Sequence, residues 1–152
     1  MRALLLLALL PGAALAQDLA ESHFQMNFCY QQAFSSADLA VAPSQQVRRI
    51  SIGREPMGTT ERLGQVAMEV EVLLRDGSSQ LEGLARCSPN ADGLTCDLGR
   101  DAGGFELVPQ GDGVGLTTTG PDGMLFQGWT GEVRLGAEEG TDQAFVLRRC
   151  GR

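Results

Sequence analysis

The residues able to do chemistry in this chain are few, and their surroundings decide what each can do. The only histidine, His23, is of the type used as a general base. No G-x-S-x-G or comparable nucleophile setting accompanies it, so a small hydrolase using His23 with loop carboxylates stands only as an alternative reading. Carboxylates pair at Glu69 with Glu71 and at Glu138 with Glu139, a pattern that acid-base chemistry can use. The first pair alternates onto the outer side of an expected strand, where a glutamate is simply solvated. The second lies in a glycine-bounded turn. The loop acids Asp97, Asp101, Asp112 and Asp122 lack the spacing of a calcium loop. No catalytic residue, metal site or cofactor is expected.

Gly111 to Gly115 reads G-x-G-x-G, but it falls between two short apolar pieces rather than ahead of a helix. It therefore does not suggest dinucleotide binding. A phosphate-binding loop is excluded more directly, because the chain has no lysine at all. Trp129 is the only tryptophan and sits among Gly128, Thr130 and Gly131. Core filling is its ordinary role; exposed, it would mark a binding surface. Trp129, Glu138, Glu139 and Asp142 form the candidate surface on this reading.

The four cysteines, Cys29, Cys87, Cys96 and Cys150, have neither C-x-x-C spacing nor histidine neighbours, so zinc is a poor reading. Their even number suits two disulfides in an oxidising compartment. Cys87 and Cys96 enclose only Ser88 to Thr95, which pairs them with each other and leaves Cys29 for Cys150.

The start of the chain agrees with that compartment. Arg2, the apolar block Ala3 to Leu10, a Pro11-Gly12 break and Ala14-Leu15-Ala16 make a secretory signal peptide, expected over residues 1–16. The block is too short to span a bilayer. Cleavage after Ala16 would leave 136 of the 152 residues, enough for one domain over 17–152. The full chain carries a formal net charge of −7, and loss of Arg2 makes the remainder more acidic still. That argues against nucleic acid and anionic membrane and leaves a basic protein as the possible partner.

The element expected to organise the domain runs from Val66 to Cys87. Val66, Met68, Val70, Val72 and Leu74 alternate with Ala67, Glu69, Glu71, Leu73 and Arg75, the period of a half-buried strand. The return segment places Leu81, Gly83, Ala85 and Cys87 inward. Two registers preserve those faces. A tight Asp76-Gly77 turn opposes Val72 to Leu81 and Glu71 to Glu82. A four-residue loop opposes Leu74 to Leu81 and Glu69 to Arg86, exchanging a repulsion for an attraction worth roughly 0.2 to 1 kcal/mol. The second is the expected register.

Residues 18–38 carry conflicting signals. Asp18 and Glu21 resemble a helix cap, whereas Phe24, Met26, Phe28 and Tyr30 alternate like a strand; a helix is expected, chiefly for the cap and for the Gln, Ala and Ser content of Gln31 to Leu39. A strand around Val47 to Gly53 and a loop over Glu55 to Gly64 precede the hairpin. After Cys96, apolar pieces alternate with Gly, Asp and Pro at intervals of about 8 to 12 residues, the mark of an antiparallel meander.

The expected fold is mainly β, a small antiparallel barrel or sandwich with one N-terminal helix and two disulfides. A transmembrane barrel is not expected, since the strands after Cys96 fall short of the roughly 9 to 11 residues needed. The functional expectation is a periplasmic or secreted, soluble, non-enzymatic binding protein that meets a basic protein through acidic loops. An inhibitor of a lysozyme-like hydrolase is one concrete form, and a structural subunit of an envelope assembly is another alternative.

Overall fold

The computed structural model describes residues 22–25, 27–54, 65–77, 80–128, 131–137 and 142–151. The expected signal segment, the Asp18/Glu21 cap, the loop over Glu55 to Gly64, Trp129, Glu138 and Glu139 lie outside these residues.

Alternating sequence becomes strand along most of the described chain: β1 (Cys29–Ala33), β2 (Val47–Arg54), β3 (Val66–Leu74), β4 (Gln80–Pro89), β5 (Leu94–Asp97), β6 (Gly104–Gln110), β7 (Gly113–Thr119), β8 (Met124–Gly128), β9 (Gly131–Leu135) and β10 (Ala144–Arg149), with the short helix α1 (Ser36–Val41) between β1 and β2. Eight of these strands close an antiparallel barrel in the order β3-β2-β1-β10-β7-β6-β5-β4, with β4 returning to β3. The first seven strands form a meander, and β10 comes back to fill the place between β7 and β1. The β8–β9 hairpin stands outside the ring and joins it where Gln127 lies opposite Glu82.

Period 2 sends alternate side chains inward, and the inward set fills the barrel. Ile50, Met68, Val70, Val72, Leu81, Phe105, Leu107 and Leu116 are wholly buried. Eight strands give an interior just wide enough for side chains, so this is a packed core. Each such residue stabilises the fold by about 1.5–3 kcal/mol. Gly83 shows how closely the hairpin is fitted. A Cβ there would stand 3.0 Å from Phe126 Cε1 and 3.2 Å from Leu98 Cδ2, so the missing side chain makes room for β8 to seat its phenyl ring.

Both disulfides form as the spacing predicts, Cys29 with Cys150 across 121 positions and Cys87 with Cys96 across nine. Cys87 and Cys96 face each other on β4 and β5 and belong to the core.

Two expectations are corrected. The hairpin takes the other register, with Val72 opposite Leu81, Glu71 opposite Glu82 and Glu69 opposite Leu84. Gly77 supplies the positive φ of 69° that the reversal uses, and its N–H donates to the Leu74 carbonyl at 3.0 Å. Both registers bury the same faces, so alternation does not choose between them. Closure does, since a two-residue slip between β3 and β4 would have to be undone elsewhere around the ring. A cross-strand attraction of about 0.2–1 kcal/mol is too small to outweigh that.

The second correction concerns the helix expected through Leu39. Cys29 to Ala33 is a strand held between β2 and β10, and helix begins only at Ser36. Ser35 Oγ accepts from Asp38 N at 3.2 Å, while Ser35 N donates to Asp38 Oδ2 at 2.8 Å. This reciprocal cap satisfies the first free N–H groups of α1. The Ser35 hydroxyl, then its backbone N–H, holds the Asp38 carboxyl below the usual carboxylate range.

Candidate functional site: the acidic wall of the barrel

The outward residues of β2, β3 and β4 are as ordered as the inward ones, because the ladders align them in rows. Ser51 lies opposite Glu71, Glu71 opposite Glu82, Glu82 opposite Gln127, and Gln127 opposite Glu132. A polar belt thus crosses five strands, at right angles to them. Glu69 stands one outward position along β3 from Glu71, and the carboxylate oxygens of Glu69, Glu71 and Glu82 all lie within 4.8 Å of one another.

Little in the immediate surroundings offsets this charge. Ser51 Oγ donates to Glu71 Oε2 at 3.4 Å, and Gln80 Nε2 to Glu82 Oε1 at 3.5 Å. Both are long contacts to neutral donors. Glu82 is exposed, and Glu69 and Glu71 are half-buried. Opposite Glu69 on β4, Leu84 keeps 58% of its surface in solvent. The wall therefore combines concentrated hydrogen-bond acceptors with one large apolar contact. The three glutamates offer oxygens close enough to be shared by one cation or by the guanidinium and ammonium groups of a protein.

Of the four residues singled out as a binding surface, Asp142 is the one described, and it points inward. It is 4% exposed. Its Oδ2 accepts from Gln46 N at 2.9 Å and its Oδ1 from Val47 N at 3.2 Å. Burial raises its pKa, and the N–H groups of Gln46 and Val47 work against that rise. Asp142 ties the connection between β9 and β10 to the start of β2. It holds the fold, and no face of it is offered to a partner.

His23 lies near the Cys29–Cys150 bridge, its ring stacked on Tyr30 with centroids 6.3 Å apart. The Tyr30 hydroxyl donates to the His23 carbonyl at 3.0 Å, and the Arg149 guanidinium sits 5.7 Å over the Tyr30 ring. Ser22 Oγ comes within 2.7 Å of His23 Nδ1. Among the described residues no carboxylate touches the imidazole, so the pair lacks the third group that would orient a catalytic base. Gly111 and Asp112 form the two-residue turn between β6 and β7, with Gln110 opposite Gly113.

Glu82 is the site residue that sequence reasoning passed over. Its signal was the tight-turn register, which places it against Glu71. Comparison with protein-family models, with curated proteins and with solved structures found no match.

Proposed function

We propose that this chain is an exported, non-enzymatic binding protein that meets a basic protein partner through the acidic wall of its barrel. The observation that carries the reading is the convergence of Glu69, Glu71 and Glu82 within 4.8 Å on the outer face. Like charges directly opposed across a ladder destabilise a sheet. A partner's arginines or lysines would relieve that repulsion on binding, so the cost borne by the free protein becomes affinity in the complex. Leu84 supplies the apolar contact that such an interface needs at its centre.

Supporting features are general ones. Both disulfides suit an oxidising compartment. No helix among the described residues is long and apolar enough to cross a membrane. The wall's charges face outward and the apolar side chains inward, the reverse of a barrel made to face lipid. With the interior filled, binding falls to the outside.

The test uses a lysozyme and cytochrome c as basic probes on the immobilised mature chain. Association is expected to weaken at least ~10-fold between low salt and about 0.3 M salt, and to weaken similarly in a Glu69→Gln/Glu71→Gln/Glu82→Gln variant. Affinity that ignores both salt and the three substitutions would sink the proposal. Inhibition of lysozyme turnover at the same concentrations would identify the narrower inhibitor role.

A further inference from the structure

Beside the acidic belt, the sheet splits. β4 pairs with β5 from Arg86 onward and with β8 at Glu82, so the two neighbours leave β4 on either side of Leu84. The opening is a hollow of about 720 Å³, bounded by β4, β8 and the loop from Leu98 to Gly103. That volume is in the range of small-molecule sites. Leu84, Leu98 and Leu125 give it apolar walls, and the guanidinium groups of Arg86 and Arg100 reach it from two sides.

Those two arginines are unengaged for a local reason. Arg86 lies opposite Asp97 on the ladder, where an ion pair would be ordinary. Asp97 instead turns its Oδ1 onto Gly99 N at 2.7 Å. This hydrogen bond helps shape the loop, together with Leu98 N to the Gly103 carbonyl at 3.0 Å and Leu125 N to the Ala102 carbonyl at 2.9 Å. Within it Arg100 is held at a φ of 42°, in the left-handed region that non-glycine residues seldom occupy. Such conformations persist where the surroundings over-determine them. Neither Arg86 nor Arg100 has a hydrogen-bond or ion-pair partner among the described residues. The other charged group in the hollow, Asp101, is exposed at its rim.

We propose that this hollow binds a small amphipathic anion, a carboxylate or sulfonate on an apolar body, with the anionic head between Arg86 and Arg100 and the body against Leu84, Leu98 and Leu125. Two cationic forks above an apolar floor match that chemistry and no simpler one. A fully polar anion would leave the leucines wet, and an apolar cation would face two guanidinium groups.

The probe is anilinonaphthalene sulfonate, followed by its fluorescence with the folded, oxidised mature chain. Saturable, blue-shifted emission is expected, displaced by decanoate and not by decyltrimethylammonium. Arg86→Ala and Arg100→Ala should each weaken binding at least ~5-fold, and Leu84→Glu should abolish it. Arg49→Ala, on the same outer wall but away from the hollow, should leave it unchanged. Absence of saturable emission, displacement by the cation, or equal losses in Arg49→Ala and the two hollow variants would each overturn the assignment. Circular dichroism of each variant separates lost binding from lost fold.

Discussion

Asp142 and the glutamates of the wall are carboxylates in opposite circumstances. Asp142 is removed from water, and both its oxygens are engaged by backbone N–H groups at the head of β2. Glu71 and Glu82 remain in contact with water and face each other across a ladder. The first is costly to charge and indispensable as an acceptor. The second pair is easily charged and, for the fold, dispensable. The difference separates acids that build this barrel from acids the barrel merely carries, and only the latter are available to a partner.

The largest effect expected from breaking the comparison is at Asp142. Asp142→Ala leaves two N–H groups without acceptors and places alanine at a φ of 48°, so a loss of about 3 kcal/mol or more is expected by urea denaturation. Asp142→Asn should cost less, about 1–2 kcal/mol, because asparagine tolerates that φ but offers one acceptor to two donors.

The pH dependence sharpens the same contrast. Burial raises the Asp142 pKa, so the folded protein holds this proton more tightly than the unfolded chain. The group therefore favours folding below the ordinary carboxylate range and loses that contribution as the pH rises through its raised value. Unfolding measured from about pH 3 to pH 7 should show wild type gaining on Asp142→Asn as the pH falls. A flat difference across that range would contradict the burial argument.

The smallest effect, opposite in sign, is on the wall. Glu82→Gln should stabilise the protein by about 0.2–1 kcal/mol, and by less in high salt, as the repulsion with Glu71 disappears. Destabilisation by this substitution would mean that the wall glutamates support the fold, and would remove the contrast with Asp142.

The strands were legible from period-2 alternation wherever turn residues bounded them. β5, β6, β7, β8, β9 and β10 each lie within a residue or two of the apolar pieces read between Gly, Asp and Pro, and the short enclosure of Cys87 and Cys96 was enough to pair all four cysteines. The register of β3 on β4 was not legible, because both candidates satisfy the same alternation and the choice is made around the whole ring. Cys29 to Ala33 misled for a related reason. Its Gln and Ala residues have little strand preference of their own, and it becomes a strand because β2 and β10 pair with it on both sides. Asp142 gave no signal, since its two donors lie nearly a hundred residues away in the chain.

The order of strands around the ring also governs when the barrel can exist. Six neighbouring pairs, from β1 with β2 to β6 with β7, join strands that follow one another in the chain and can form as it emerges. The remaining gap is sealed only by Ala144–Arg149, whose arrival also brings Cys150 to Cys29. Until then β1 and β7 are open edges, each a template for another chain. Folding should accordingly end in one slow, long-range step. A chain cut short before Ala144 would be a sheet with two unprotected sides, prone to self-association.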